Sequence, residues 1–466
     1  MLPDPVRGVV QCLVPIIRAP AVAASAIPLH EGSLGWQFEV FFDQKMPNFV
    51  FVVRSLRCLA GVRVALVAMS SFSGLPICRW FVLAALFALG GCASISRIQY
   101  EAADATSSRV LDLNDLRRYA DEPASTFHDE MPGRFRSGPL SYLALSGGGA
   151  DGAYGAGVLN GWTAQGTRPE FSVVSGVSTG ALIAPFAFLG AAYDATLRDV
   201  YTSGIAESIL DAPNFLNALF GSGLFGNTRL RELVARYVDK NMLDAIAVEH
   251  MKGRRLFIVT TNLDTQRTVI WDMGRIASLR SPQAVSLFRD VLAASASIPV
   301  VFPPIFIDAE ANGNRFQEMH VDGGVTAPVL TLPEAFLLRY ATLPNGPQTK
   351  IYILMNNKVE RDFQVVPNST VDIAARASSS ATKTQTRSLL YETYEFAQRN
   401  KFGFNLSYIG KDVPSSKSPG FETKYMRGLY QYGYERARAA DFWAKAPPYD
   451  DFSQNGDRRQ RPVVLR

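Results

Sequence analysis

The chain has 466 residues, of which 47% are hydrophobic and 19% charged, so it can bury a full core and is not intrinsically disordered. Its 47 Lys and Arg residues barely exceed its 42 Asp and Glu residues, and this small excess does not indicate nucleic-acid binding. The cysteines are Cys12, Cys58, Cys78 and Cys92. The remainder of the chain therefore offers no disulfide framework, no cysteine-based zinc site and no cysteine nucleophile.

The first 91 residues are expected to be absent from the mature protein. Residues 1–68 mix Pro, Arg and short apolar runs, and we interpret them as an N-terminal extension that is unused or disordered. Residues 69–91 have the features of a signal peptide, because Met69 supplies a start, Arg79 a positive charge, and Trp80 to Leu89 an apolar stretch of suitable length. An ordinary cleaved signal or a short apolar helix is the alternative.

Leu89-Gly90-Gly91-Cys92 follows the apolar stretch and resembles a bacterial lipobox, in which lipid is attached to the cysteine thiol. The resemblance implies a mature chain that begins at Cys92 and is held to a membrane by acyl chains. Ala93 and Ser94 stand after Cys92 where an aspartate would favour inner-membrane retention. We therefore expect a membrane-anchored bacterial lipoprotein, in the outer membrane or on the periplasmic face.

Residues 92–138 are polar and are predicted to form a tether and lead-in, with one short helix at Val110 to Tyr119. Over residues 139–446, apolar runs of strand length alternate with helical patterns, which is typical of one α/β domain with a mainly parallel sheet. Residues 447–466 are predicted to be a polar C-terminal tail.

The predicted strands of this domain are Leu140 to Leu145, Phe171 to Ser175, Arg255 to Asn262, Thr268 to Trp271, Phe302 to Ile307, Met319 to Val321, Lys350 to Met355 and Gly403 to Ile409. The predicted helices are Gly152 to Gln165, Thr179 to Ala192, Pro282 to Ala296, Thr370 to Asn400 and a segment within Phe421 to Trp443.

Three glycine-containing motifs follow predicted strands. Ser146 to Gly152 (SGGGADG) joins a strand to a helix, and its consecutive glycines let backbone N–H groups converge on one anion site. Gly176 to Gly180 (GVSTG) places Ser178 on a sharp strand-to-helix turn. Asp322-Gly323-Gly324 places a carboxylate at a strand end, where parallel α/β sheets build their sites.

Each motif by itself has a more general interpretation. The glycine loop lacks the Lys-Ser/Thr pair of a P-loop, and the strand Phe171 to Ser175 carries no acidic residue for a dinucleotide site. A lone G-x-S-x-G match also occurs by chance, and Asp-Gly-Gly is usually a turn.

In this order, the three motifs resemble those of the patatin-like phospholipase family. Ala293 to Pro304 (AASASIPVVFPP) also resembles the small-residue and proline segment that precedes the family's aspartate strand. The resemblance covers about Leu140 to Leu337. It implies a three-layer α/β/α fold with a mainly parallel central sheet and a lipid acyl hydrolase, a phospholipase A or lysophospholipase-like esterase, that needs no metal and no cofactor.

The resemblance also implies the role of each motif. Ser178 would be the nucleophile and Asp322 the general base of a dyad without histidine. The predicted oxyanion-hole residues are Gly147, Gly148, Gly149 and Gly152, and the remaining motif glycines are Gly176, Gly180, Gly323 and Gly324. The implied partners are a lipid or acyl-ester substrate and a membrane, reached through lipidated Cys92, with no nucleic acid; the oligomeric state stays open.

The glycine loop departs from the family pattern at Asp151, where the family commonly has a basic residue. If that basic side chain binds phosphate or orients the loop, the reversed charge favours a neutral or small acyl ester over a phospholipid.

Two other functions remain open. A Ser-His-Asp carboxylesterase would use His320 as base, two positions before Asp322, with an acid such as Asp264. A non-catalytic lipid-binding lipoprotein would retain the fold with an inactive site.

Overall fold

The structure is a computed structural model that describes residues 51–57, 63–69, 97–130, 140–209, 227–299, 301–338, 348–411, 413, 421–439 and 441–448. The chain divides into two compact units, Met1–Cys92 and Ala93–Arg466. In the first unit, the described residues form an antiparallel hairpin of β1 (Phe51–Arg57) and β2 (Arg63–Met69). The apolar stretch Trp80 to Leu89 and Cys92 lie outside the described residues.

The second unit is an α/β domain. Its strands are β3 (Arg117–Tyr119), β4 (Ser141–Leu145), β5 (Val173–Val177), β6 (Arg255–Asn262), β7 (Arg267–Asp272), β8 (Ile305–Ala311), β9 (Asn314–Asp322), β10 (Lys350–Met355) and β11 (Gly403–Tyr408). Its helices are α1 (Ala102–Thr106), α2 (Ala124–Glu130), α3 (Gly152–Gln165), α4 (Thr179–Leu189), α5 (Asp194–Thr202), α6 (Ile205–Ile209), α7 (Asn227–Tyr237), α8 (Lys240–Met251), α9 (Met273–Ser278), α10 (Pro282–Ser295), α11 (Glu334–Leu338), α12 (Thr370–Asn400) and α13 (Thr423–Arg438). None of the described helices is both long enough and apolar enough to cross a membrane.

The central sheet is mainly parallel. Strands β11, β10, β4, β5 and β6 lie side by side in that order and run in the same direction, and β7 and β3 continue the sheet antiparallel. The hairpin of β8 and β9 joins through an antiparallel pairing of β9 with the end of β6.

The pairing of β6 explains how two distant motifs meet. β5 pairs with β6 as far as Val177 opposite Val259, where β5 ends. The next residue of β6, Thr260, pairs with Asp322 of β9. Strand β9 therefore continues the pairing that β5 leaves, and Ser178, which follows Val177, lies beside Asp322.

Helices cover both faces of the sheet because successive strand residues point to opposite faces. On one face, Leu143 and Leu145 of β4 belong to the large core formed with α3, α4, α10 and α13. On the other face, Ala144 and the alternate residues of β10 contact Leu390 and Phe396 of α12. The fold is thus the expected three-layer α/β/α arrangement.

Most predicted elements are confirmed: β6, β10, α3 and α12 have the predicted bounds, and the others differ by a few residues at their ends. The helix predicted at Val110 to Tyr119 is wrong. Leu111 and Asp112 adopt positive φ angles of 51° and 61°, and the segment ends in β3, which pairs with β7. The sheet consequently begins before residue 139, where the sequence places the start of the domain.

Candidate active site

Ser178 lies on a sharp turn between β5 and α4, at the edge where the parallel strands end. Its φ angle of 55° is unusual for a residue with a side chain, and its exposed fraction is only 5%. Gly180 is required here because a Cβ at that position would lie 2.4 Å from the carbonyl oxygen of Leu145. The turn predicted from the sequence is therefore present, with the main chain of α4 tight against the end of β4.

Asp322 ends β9 and is as deeply buried as Ser178, with 5% of its surface exposed. Its carboxylate accepts a hydrogen bond from the N–H of Gly324 at 2.7 Å. Burial raises the pKa of this carboxyl to about 6, although the Gly324 N–H and the nearby Ser178 hydroxyl act in the opposite direction. No charged side chain among the described residues contributes to this pKa shift.

The segment after α10 holds the backbone of both residues. The Oγ of Ser295 accepts a hydrogen bond from the N–H of Ser178 at 3.0 Å. Two residues later, the carbonyl oxygen of Ser297 accepts one from the N–H of Asp322, also at 3.0 Å. The sequence singled out this segment only by resemblance, and the structure shows that it fixes the main chain of Ser178 and Asp322.

The glycine loop provides fewer free N–H groups than the sequence predicts. The N–H of Gly147 donates to the carbonyl of Pro328 at 3.1 Å, and that of Gly152 donates to the carbonyls of Gly149 and Ala150. The predicted oxyanion-hole role of Gly147 and Gly152 is therefore wrong, because neither N–H is free to bind an oxyanion. Within the described part of the chain, the N–H groups of Gly148 and Gly149 have no such acceptor.

Asn356, which the sequence analysis missed, holds the glycine loop in place. It directly follows β10 and is fully buried. Its N–H donates to the Ser146 hydroxyl and its side-chain amide donates to the Ser146 carbonyl, both at 2.8 Å. A Cβ at Gly148 would lie 1.9 Å from the carbonyl oxygen of Asn356, so only glycine fits there. No motif marks this asparagine, and its role depends on β10 lying next to β4.

A narrow apolar cavity of about 40 Å³ opens at Ser178. Gly149 of the glycine loop also lines it. The apolar lining residues are Leu182, Ala206, Leu230, Leu233, Ala296, Ile298, Phe302 and Phe421. The nucleophile and the glycine loop thus face one space whose walls suit a hydrocarbon chain.

His320 is fully buried, and both of its ring nitrogens are engaged. Nδ1 lies 2.9 Å from the Thr260 hydroxyl and Nε2 lies 3.0 Å from the carboxylate of Glu318. Burial lowers the pKa of the ring, although the neighbouring Glu318 carboxylate acts in the opposite direction. Asp264, the acid considered for a triad, is instead paired with Arg97 at 2.6 Å. The structure therefore leaves no ring nitrogen of His320 for Ser178.

Asp151 is tied to the C-terminal helix rather than to the glycines beside it. Its carboxylate accepts a hydrogen bond from the hydroxyl of Tyr425 in α13 at 2.7 Å. Burial raises the pKa of Asp151, and the positive charge of Lys358 partly opposes that shift. The reversed charge at this position therefore has a partner of its own in the fold.

A serine on a strand-to-helix turn, a buried aspartate beside it and a glycine loop lie together at one edge of an α/β/α sheet, as the three sequence motifs predicted. Residues 143–333 match the model of a family described as patatin-like phospholipase. This match confirms the resemblance found in the sequence over these residues.

Comparison with solved structures gives a more distant likeness, to VipD from Legionella pneumophila. The TM-score is 0.35 and the sequence identity 14%, and the match covers 64% of this chain and 66% of VipD, just under two thirds of its length. No curated protein matches the chain.

Proposed function

We propose that the domain hydrolyses the carboxylic esters of lipids with Ser178 as nucleophile and Asp322 as general base. One observation carries the proposal: the pairing of β5 and β9 with β6 places the Ser178 hydroxyl beside a buried carboxylate with a pKa of about 6. Such a carboxylate is ionised at neutral pH yet more basic than an exposed aspartate, which suits a proton acceptor.

In the first half of the reaction, the Ser178 oxygen attacks the ester carbonyl carbon while its proton passes to Asp322. The tetrahedral intermediate then collapses, the bond to the alcohol oxygen breaks, and Asp322 protonates the departing alcohol. The products of this half are the free alcohol and an acyl ester of Ser178.

In the second half, a water molecule attacks the acyl carbon and gives its proton to Asp322. The bond to Ser178 breaks, the proton returns to the Ser178 oxygen, and the fatty acid leaves. The N–H groups of Gly148 and Gly149 would stabilise the oxyanion in both halves, and each such donor contributes about 3 to 4 kcal/mol in related sites.

The surroundings of Ser178 support an acyl ester with a neutral head group. The apolar lining of the cavity suits the acyl chain. The glycine loop carries Asp151 where the family commonly has a basic residue, so the loop itself supplies no cation for an anionic phosphate. We therefore expect neutral or short-chain esters to be better substrates than anionic phospholipids.

A substrate panel tests the reaction. The full chain, Ser178→Ala and Asp322→Ala are each assayed with short-chain aryl esters, lysophospholipids and phospholipids, with Ser172→Ala as a control serine on the opposite edge of the sheet. We expect loss of hydrolysis in the first two variants only. Activity that survives in both would disprove the dyad.

Covalent labelling separates the enzyme from a non-catalytic lipid-binding lipoprotein. A fluorophosphonate probe should label the wild type and Ser172→Ala, and it should not label Ser178→Ala. A wild-type chain that stays unlabelled has no activated serine, and the non-catalytic alternative is then the better one.

The membrane anchor is a separate proposal. It is supported by the sequence alone, in which Leu89-Gly90-Gly91-Cys92 follows the apolar stretch Trp80 to Leu89. Growth of producing cells with an alkyne-labelled fatty acid should label the wild type but not Cys92→Ala. Equal labelling of the two would exclude Cys92 as the lipidated residue.

A further inference from the structure

Helix α12 is much longer than the strands that it connects. Its 31 residues span about 46 Å at 1.5 Å per residue. Because it joins the parallel strands β10 and β11, it runs antiparallel to them, and its first residues lie on the side of the active-site edge. Among the side chains of this helix whose burial is described, the first buried one is that of Thr386.

The point where α12 passes the active site is fixed by one contact. The side-chain amide of Gln385 donates to the carbonyl of Thr326 at 2.5 Å, four residues after Asp322. The fifteen residues from Thr370 to Thr384 therefore extend about 22 Å beyond this edge. We call residues 357–385, the preceding loop together with this half of the helix, the arm.

Ion pairs hold the loop of the arm against its helix. Asp362 accepts hydrogen bonds from Arg376, at 3.2 Å, and from Lys383. The Lys383 ammonium also donates to the carbonyl of Glu360 at 3.0 Å, and the Arg376 guanidinium donates to the carbonyl of Asp362 at 2.8 Å. The arm is thus a defined structure with two chain segments.

Large apolar side chains are exposed on the arm. Phe363 is 94% exposed, Val365 78% and Ile373 51%. Phe363 and Val365 stand on either side of Gln364 in the loop that precedes α12. Gln364 between them reaches Arg376, which lies one helical turn after Ile373. These three side chains, which we call the apolar tip, therefore belong to the same part of the arm.

We propose that the apolar tip inserts into the surface of a lipid bilayer and presents the active-site edge to its substrate. The proposal rests on the proposed function for the nature of the substrate. The exposed area of the tip is roughly 400 Å², about half of what each partner buries in a stable protein complex. By contrast, a few inserted side chains suffice for an interfacial contact, because each contributes about 1.5 to 3 kcal/mol.

The charge of the arm is also compatible with a lipid bilayer. Lys358, Arg361, Arg376 and Lys383 outnumber Glu360, Asp362 and Asp372 by one, so anionic head groups are not repelled. The tip also lies at the end of the sheet where the parallel strands end, as Ser178 and Asp322 do. One membrane surface can therefore receive the tip while a lipid enters the site.

Binding to vesicles tests the proposal. All proteins carry Cys92→Ala, so that no attached acyl chain contributes, and are sedimented with vesicles of phosphatidylcholine and phosphatidylglycerol in equal parts. Phe363→Ser with Val365→Ser should weaken binding by about tenfold to 100-fold relative to the parent. Met251→Ser is the matched control, because Met251 is 68% exposed at the end of α8, on the edge where the strands begin.

A spectroscopic variant locates the contact. The emission of Phe363→Trp should shift to shorter wavelength when vesicles are added, whereas Met251→Trp should show no additional shift. Equal vesicle binding by the parent and the double serine variant would overturn the proposal. A second outcome would also overturn it: the double serine variant has a lower molar mass in solution than the parent but binds vesicles equally. The tip would then be a contact between two copies of this chain.

The outcome is separable from that of the proposed function. The double serine variant should hydrolyse a soluble short-chain aryl ester at the parental rate, because the tip does not contact the dyad. Ser178→Ala should bind vesicles as the parent does. Loss of ester hydrolysis in the tip variant would indicate damage to the fold and would overturn the assignment of the tip to membrane contact alone.

Discussion

Strand β9 carries two buried carboxylates, Glu318 and Asp322, whose pKa values move in opposite directions. Glu318 is fully buried and its pKa is far below the ordinary value, whereas the pKa of Asp322 rises to about 6. Desolvation by burial acts on both in the same direction. The difference must therefore come from what surrounds each carboxylate.

Glu318 is surrounded by donors. Arg117 of β3 binds it with two guanidinium nitrogens, one of them at 2.7 Å, and Ser108 donates at 2.6 Å. Asn262 and His320 supply two further contacts. A buried carboxylate with a bidentate cation is stable as an anion and has no tendency to take up a proton.

Among the described residues, the groups that lower the pKa of Asp322 are the N–H of Gly324 and the hydroxyl of Ser178, and neither carries a charge. Its negative charge is therefore poorly compensated and its affinity for a proton is higher. The comparison indicates that the absence of a nearby cation, more than burial itself, suits this carboxylate to accept a proton from the nucleophile.

The largest effect is expected when the basic carboxylate of Asp322 is removed. Asp322→Asn should lower kcat/KM for a soluble aryl ester by about 10³-fold or more, because the amide cannot accept the Ser178 proton. The measurement is steady-state hydrolysis above pH 7. Glu318→Gln, assayed below its unfolding temperature, should lose much less; an equal loss in both variants would remove the functional distinction between the two carboxylates.

The second largest effect is expected on the free energy of unfolding when the Glu318 carboxylate is removed. Glu318→Gln should lower the free energy of unfolding by about 3 to 5 kcal/mol, because it leaves the buried guanidinium of Arg117 without its counter-charge. Urea unfolding at pH 7 measures it. Glu310→Gln is the matched control, because the Glu310 side chain is 38% exposed and its partner Arg315 is 85% exposed, and it should change stability by about 0.5 kcal/mol at most. A Glu318→Gln value as small as this control would contradict the structural role of the ion pair.

Ionisation of Asp322, unlike that of Glu318, should destabilise the folded protein. The folded carboxyl keeps its proton up to about pH 6, whereas the unfolded one releases it near pH 4, so the folded state binds more protons between these values. The free energy of unfolding should therefore fall as the pH rises from about 4 to 6.

Asp322→Asn should restore the free energy of unfolding that is lost when buried Asp322 ionises. The gain should be up to about 3 kcal/mol at pH 8, with no gain at pH 4. Urea unfolding of both proteins at the two pH values measures the difference. A variant that is less stable than the wild type at pH 8 would show that Asp322 is compensated in the way that Glu318 is.

The pH dependence of catalysis provides a smaller effect. Hydrolysis requires ionised Asp322, so kcat/KM should decrease about tenfold per pH unit below pH 6 and level off above pH 7. A profile measured with a soluble ester, over a range where circular dichroism shows no unfolding, gives this apparent pKa. A midpoint near the ordinary value of about 4 would place Asp322 in a better-compensated environment than the structure shows.

The smallest effect on catalysis is expected at His320. Its ring is hydrogen-bonded to Thr260 and Glu318, so His320→Gln should reduce kcat/KM by less than about tenfold, although it can lower stability. Thermal unfolding of the same variant separates the two effects. A loss as complete as that of Ser178→Ala would revive the Ser-His-Asp alternative.

Much of the fold could be predicted from local patterns. Apolar runs of strand length predicted β4, β6 and β10, helical spacing of apolar residues predicted α3, and a long polar stretch predicted α12. The prediction failed at Val110 to Tyr119, because tertiary contacts decide that segment: Arg117 reaches Glu318 and β3 pairs with β7. Asn356 was also missed, since it has meaning only where β10 lies against β4.

The amino-acid sequence by itself determined the motifs: a glycine loop, a serine between two glycines that allow a sharp turn, and an aspartate at a strand end. Only the tertiary structure decided which groups meet. β9 takes over the pairing with β6 where β5 stops, which brings Asp322 beside Ser178, and Pro328 takes the N–H of Gly147. Local chain geometry is encoded by neighbouring residues, whereas proton affinity and free donors depend on groups that are distant along the chain and adjacent in space.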